Sequence, residues 1–261
     1  WSDQSHYRSG SFMSGHSKWA SIKHKKGAAD AKRGKLFTRI IKELTVAARD
    51  AGGDPDTNPR LRTVIADAKA ANMPADNIKR AIRRGTGEEP GVSYEEVTYE
   101  AYGPGGAALL IECMTDNTNR AVGEIRHLLS KHNGNLGTTN SVAWMFEKHG
   151  YIVVEKSGVD EETLMTAAIE AGADDFKDEG DSWEIISTPE LFEGIRSAVT
   201  ATGLQPMSAQ IAMLPQNLVK LEGKQAQQMI KLMDVLEDQD DVQNLWSNFD
   251  IDAKEIEASL A

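Results

Sequence analysis

The side chains that could do catalytic chemistry do not fall into a recognisable arrangement. His16 and His24 stand in a lysine-rich stretch without partner carboxylates, and His127 and His132 are spaced so that a helix would not put them on one face. No HExxH zinc signature and no GxSxG nucleophile elbow occurs. The single cysteine, Cys113, cannot form an internal disulfide or a thiolate metal site, and within its apolar run it reads as a small core residue. Acids do cluster, at Asp160-Glu161-Glu162, at Asp174-Asp175, and at Glu237, Asp238, Asp240 and Asp241. Paired carboxylates can act as acid and base or hold Mg²⁺. Each cluster, however, falls at an expected helix edge or turn, where carboxylates are solvated and, at a helix start, favoured by the dipole. The sequence therefore predicts a protein that is not an enzyme and uses no metal or cofactor.

The chemistry the sequence does carry is electrostatic. The 261-residue chain has a net charge of −11, divided very unevenly. From Met13 to Gly87 there are 17 Lys and Arg against 7 Asp and Glu, a net +10. From Glu88 to Ala261 there are 11 against 32, a net −21. A basic block of this kind suits a polyanion, because its cations displace condensed counterions from phosphates. The acidic remainder would be repelled by the same phosphates and would orient the molecule. The alternative is that the two blocks attract each other.

Two segments hold the candidate nucleic-acid-binding residues. Residues 15–35, GHSKWASIKHKKGAADAKRGK, carry Lys18, Lys23, Lys25, Lys26, Lys32, Arg33 and Lys35, with Arg39 just beyond. They read as a basic arm that orders on a partner. Within it, Trp19 is placed either to stack on a base or to anchor the arm on its own domain. In the second segment, around residues 74–85, Ile78 and Ile82 share one helical face while Lys79, Arg80, Arg83 and Arg84 fall on the other. Cations crowded on one short helix repel one another, and a phosphate backbone relieves that repulsion. An ordinary solvated face is the other reading.

The elements that must position these residues are legible in outline. Residues 1–12, WSDQSHYRSGSF, read as an appended leader, with Met13 as the natural start. A helix is expected from about Asp30 to Ala51 on the stripe Leu36, Ile40, Leu44 and Ala48, ended by Gly52-Gly53. A second begins at the Asn58-Pro59 cap, and a third runs from about Pro74 to Gly85. After Glu88 the pattern becomes mixed. Strands are expected at 97–102 and 107–114 around the Gly103-Pro104-Gly105-Gly106 turn, then a helix capped near Asp116–Asn119, then strands near 142–146 and 151–155. Further on, the order strand, helix, strand, strand, helix, strand to about Met213 is the split-βαβ, ferredoxin-like pattern. A helix at 224–236 and a strand near 241–249 complete no unit alone, so they should return to the sheet begun at residue 97.

The predicted fold is thus α+β: a helical N-terminal domain followed by two small α/β (ferredoxin-like) domains, one inserted in the other. The expected bounds are 13–88 for the basic domain, 89–147 with 215–261 for the discontinuous domain, and 148–214 for the inserted one. No stretch approaches the roughly 20 apolar residues that span a bilayer, and the single cysteine fits a reducing compartment. A cytoplasmic monomer without a membrane partner is expected.

Four long segments carry a family resemblance. GHSKWASIKHKKGAADAKRGKLFTRIIKEL, NMPADNIKRAIRRGTG (72–87), YEAYGPGGAALLIECMTDNTNR (99–120) and NGNLGTTNSVAWMFEKHG (133–150) closely resemble the YebC family, and the resemblance extends over Met13–Ala261. It implies three domains, a helical one followed by two α/β ones, in a cytosolic bacterial protein described as a DNA-binding regulator of transcription. A mitochondrial relative is a translational activator for a cytochrome oxidase subunit, and the resemblance also implies a ribosome-bound role in easing stalls at proline runs. DNA and ribosomal RNA are therefore both expected partners. The residues themselves favour RNA, since no helix-turn-helix with a polar recognition helix is evident.

Overall fold

The computed structural model describes residues 29–260, with side chains from Gly34 to Ser259. Among the described residues three helices come first: α1 (Ala29–Ala51), α2 (Pro59–Ala70) and α3 (Ala75–Gly85). Ile40, Leu44, Ala47 and Ala48 of α1 are buried against Leu61, Val64 and Ala68 of α2 and Ile78 and Ala81 of α3. Burying a side chain such as Leu44 or Leu61 completely contributes about 2 kcal/mol. Leu36, the first member of the expected stripe, is 45% exposed. Asn58 joins the first two helices. Its Oδ1 accepts the Leu61 N–H at 3.0 Å, and its Nδ2 donates to the carbonyls of Ala47 and Gly52, both at 2.8 Å. Gly85 sets how closely α3 lies on α1: a Cβ there would stand 2.3 Å from the Thr45 carbonyl oxygen.

The middle domain begins with an antiparallel hairpin, β1 (Glu95–Tyr102) and β2 (Ala108–Thr115), joined by a 3-10 turn at Pro104–Gly106. Gly105 turns there with φ +70, and a Cβ on it would meet Leu221 at 2.4 Å. Next come α4 (Thr118–Lys131), capped by Asn117, and the short β3 (Asn135–Leu136). The chain then departs to form a separate unit. It comes back as β8 (Val219–Lys220), α7 (Gly223–Glu237), β9 (Val242–Ser247), β10 (Phe249–Asp250) and α8 (Ala253–Leu260). β9 pairs antiparallel with β2, which gives a four-stranded sheet of order β3-β1-β2-β9. Ile125 and Leu129 of α4 and Met229, Leu232 and Met233 of α7 cover one face of it.

The intervening unit comprises β4 (Phe146–Glu155), α5 (Glu161–Glu170), β5 (Asp175–Asp178), β6 (Ser182–Ser187), α6 (Phe192–Ala201) and β7 (Ser208–Pro215). Its sheet has the order β5-β6-β4-β7. Both of its helices pack on one face, around Ile152, Trp183, Ile185 and Ile195. The opposite face lies on the middle sheet, where Tyr151, Val153 and Ala212 meet Leu110 and Trp246. Entry and exit are adjacent, since Phe146 pairs with Pro215 and the Gln216 N–H donates to the Met145 carbonyl at 2.8 Å. The whole is an α+β fold.

Two local expectations need correction. Strands at 142–146 and 151–155 are instead one strand, β4, preceded by a 3-10 turn at Ala143–Met145. The alternating apolar residues Val142 and Phe146 mimic a strand there, but the backbone N–H groups of Val142 and Ala143 are claimed by the Glu100 carboxylate rather than by a neighbouring strand. The basic arm expected over 15–35 also extends too far, because from Ala29 onward the backbone is already α1.

Candidate nucleic-acid interface

Helix α3 divides its residues sharply. Ile78 and Ala81 are buried, while Lys79, Arg80, Arg83 and Arg84 are all exposed on the outward side. Arg83 pairs with Glu89 at 3.0 Å, which leaves half of the Arg83 side chain exposed. The stem of Arg84 lies along Gly91, its Cβ and Cγ 3.1 Å from where a Cβ on that glycine would stand. Among the described residues, Lys79, Arg80 and Arg84 form no ion pair. The negative end of the helix dipole favours Arg83 and Arg84 in the last turn, but it does nothing for Lys79 and Arg80 in the middle.

The α1 cations are placed differently. Lys35 Nζ reaches the Asp238 carboxylate at 2.8 Å and the Asp238 carbonyl at 3.0 Å. Arg39 donates to the carbonyl of Glu237, the last residue of α7. One turn further, Lys42 bonds the Asp241 carboxylate at 2.9 Å and the carbonyls of Asp240 and Met114 at 2.9 and 3.0 Å. Positions 35, 39 and 42 share one helical face, and that face satisfies the carbonyls left open at the end of α7. At this seam the basic and acidic blocks attract each other: Arg39 is half-buried there, while the Lys35–Asp238 pair stays exposed. Lys32 and Arg33 lie in α1, but their side chains fall outside the described residues, as do Lys18, Trp19, Lys23, Lys25 and Lys26 altogether.

Asp241 is the hub of the seam. Besides Lys42, it accepts from Arg120 at 2.8 Å and from Thr115 at 3.0 Å. Burial pulls its carboxyl up, but the hydrogen bonds from Arg120 and Lys42 and the Lys42 charge outweigh this and hold it below the usual Asp range. A second seam runs through Arg60, which pairs with Glu43 at 2.8 Å and with Glu96 of β1 at 2.6 Å. A third joins α2 to α6, where Thr63 donates to Glu193 at 3.2 Å and Arg196 approaches Asp67 at 3.8 Å. The helical domain is thereby fixed to both other domains, with the α3 cations facing outward. No signal in the sequence separated Lys42, which is buried, from its exposed neighbours. The acidic run that receives it was visible, but its partner was not.

Other chemistry is sparse. Cys113 is buried, and burial, with Asp241 nearby, pushes its thiol up to about 12. Among the described residues no group of three His, Cys, Asp or Glu side chains could hold a metal ion, and no helix is long and apolar enough to cross a membrane.

Comparison with known proteins agrees with this architecture. Residues 17–88 match the family model of the TACO1/YebC protein N-terminal domain, and residues 94–249 match that of the TACO1/YebC second and third domain. A probable transcriptional regulatory protein of Acidobacterium capsulatum is 60% identical over 243 residues, covering 93% of this chain and 98% of the relative. One from Geobacter sulfurreducens is 59% identical over 245 residues, covering 94% and 99%. Among solved structures, a conserved hypothetical protein of Aquifex aeolicus, Aq1575, superposes with a TM-score of 0.81 at 46% identity, covering 90% of this chain and 97% of that one.

Proposed function

Since the chain belongs to the TACO1/YebC family, we propose that it is a non-enzymatic, nucleic-acid-binding regulator of gene expression whose described contact surface is the outer face of α3. The observation that carries this reading is the set Lys79, Arg80 and Arg84, exposed and without an ion-pair partner among the described residues, on a helix held rigidly by Gly85 and the seams. Such a face meets phosphates and supplies affinity that is steeply salt-dependent.

The same geometry favours structured RNA, of the kind a ribosome offers, over an operator in duplex DNA. A recognition helix presents its N-terminal residues to base edges in the major groove. The first turn of α3 carries Asp76, a carboxylate that phosphates repel, and its four cations lie beyond that turn, from the middle of the helix into the C-terminal half. Contact through that half follows a backbone and reads shape, which suits an RNA fold. The names of the relatives favour the second reading, regulation of transcription. Gradient sedimentation of lysate at controlled salt, followed by crosslinking and sequencing of the bound nucleic acid, separates the two. Ribosomal RNA fragments are expected. Recovery of a few promoter fragments, with no protein in the ribosome fractions, would defeat the translation reading.

A further inference from the structure

The acidic part of the chain is not uniformly acidic. It holds 32 Asp and Glu from Glu88 onward, yet none lies between Glu124 and Glu147. That interval contains Arg126 and Lys131, both exposed on α4 and without an ion-pair partner among the described residues. The charges of Lys131 and of Lys231 on α7 reach His132, whose pKa is lowered first by burial and then by these two cations. A cationic island therefore stands at the C-terminal end of α4.

From there the chain runs along a single edge of the middle sheet. β3 pairs with Ala101 and Tyr102, at the outer side of β1. The loop that follows sits on the same stretch of β1: the Gly137 N–H donates to the Glu100 carbonyl at 2.7 Å, and the Tyr102 hydroxyl donates to the Ser141 carbonyl at 3.1 Å. The Glu100 carboxylate, only 8% exposed, accepts the N–H groups of Asn140, Val142 and Ala143 at 2.5, 2.7 and 2.8 Å. Asn140 adopts φ +63 to make this possible. A buried carboxylate is thus used to fix the backbone of a surface loop.

That loop displays Trp144, which is 62% exposed, the most exposed large hydrophobic residue among those described. Its indole N–H donates to the Ser141 carbonyl at 3.2 Å, so the ring is tethered at its polar edge with an aromatic face left to solvent. The neighbours Thr138, Thr139 and Asn140 are exposed and uncharged. A rigid aromatic face, small hydrogen-bonding side chains and cations in the same acid-free interval of the chain fit an unpaired nucleobase and its phosphates, the carboxylate beneath the loop, Glu100, being buried and bonded to three amides.

We propose that the β3 edge of the middle domain is a second nucleic-acid contact, in which an unpaired base stacks on Trp144 and the adjoining strand runs toward Lys131 and Arg126. This deepens the proposed nucleic-acid-binding function and rests on it, but it specifies something α3 does not. A base paired inside a duplex cannot reach the ring, so the edge selects single-stranded or looped nucleic acid.

The test uses the full chain and fluorescent probes: an RNA hairpin with an oligoadenosine loop, its DNA counterpart, and the same RNA stem closed as a blunt duplex. Trp144→Ala is expected to weaken the RNA hairpin about ten-fold and leave the duplex unchanged, and Trp144→Phe to retain most of the affinity. Arg126→Ala with Lys131→Ala should flatten the salt dependence of hairpin binding. The DNA hairpin shows whether the 2′-hydroxyl contributes. Unchanged circular dichroism and melting of Trp144→Ala confirm an intact fold. Lys79→Ala with Arg80→Ala serves as the control and should weaken all probes. Should the control have no effect while Trp144→Ala does, the α3 reading falls and the edge stands. Equal affinity of wild type and Trp144→Ala for the hairpin overturns the proposal, as does equal loss on hairpin and duplex, or photocrosslinking through Trp144 to protein alone.

Discussion

Lys42 and Asp241 are 199 residues apart in the chain and 2.9 Å apart in the fold, with side chains 7% and 5% exposed. The pair joins the helical domain to the end of the middle sheet, and both partners have further hydrogen bonds. Removing one partner of a buried pair leaves the other charge uncompensated. Asp241→Ala should cost about 3–5 kcal/mol, because it strands Lys42 and also releases Arg120 and Thr115. Lys42→Ala should cost about 3 kcal/mol, the lower end, because Arg120 still pairs with Asp241. Urea unfolding followed in parallel by far-UV circular dichroism and tryptophan fluorescence measures both. Wild-type midpoints for either variant would remove the pair from the stability argument.

The same carboxylate makes the seam sensitive to acid. The Asp241 and Glu100 carboxyls are both held below their ordinary values in the fold. A group with a depressed folded pKa contributes stability that is fully present above its unfolded value, about 3.9 for Asp and 4.3 for Glu. That contribution is lost as the pH falls through the folded value. Stability should therefore be flat with respect to these two groups near neutrality and decline below about pH 4. In Asp241→Asn the acid-side slope should be shallower, which thermal melts across the pH range would reveal.

Replacing Arg80, Arg83 and Arg84 with Ala should weaken nucleic-acid binding across sequences. If each contacts a phosphate on a duplex, the slope of log K against log salt should fall in magnitude by up to about 2.7, and Arg83, already paired with Glu89, should contribute least. Anisotropy titrations over a salt series check this. An unaltered slope would mean that α3 points away from the polymer.

Cys113 should resist thiol reagents in the native protein, since its thiol is buried and pushed up to about 12. Labelling by Ellman's reagent at pH 8 should proceed only at the rate of unfolding. Rapid stoichiometric reaction would contradict the burial.

Glu100→Ala should free the amides of Asn140, Val142 and Ala143, which now bond its carboxylate. Hydrogen exchange at these three positions should accelerate, with a stability loss of about 1–3 kcal/mol. Unaltered protection would show that the loop is held by its other contacts.

Much of the local structure was legible because it is written in local chemistry. Asn58-Pro59 marks a helix start by capping and by proline geometry, and Ile78 with Ile82 against Lys79, Arg80, Arg83 and Arg84 marks the two sides of α3. Contacts made across long separations were not legible in this way. Lys35, Arg39 and Lys42 have the same type and spacing as phosphate-binding lysines and arginines, and only the arrival of α7 gives them partners within the chain. Trp144 was hidden for a related reason. The apolar alternation around it suggests a strand, and the carboxylate that makes it a turn sits on β1.

The hydrogen bond between Gln216 and Met145 brings together the points where the chain leaves the middle domain and where it rejoins it. Strands β4 and β7 stand side by side from that point, so residues 146–215 form a cassette on a common stem. A short bridge from Met145 to Gln216 could close the gap without altering the pairing of β2 with β9. The chain's own connectivity thus permits the lobe to be exchanged, enlarged or tagged while the helical domain keeps its seat through Lys42 and Arg60.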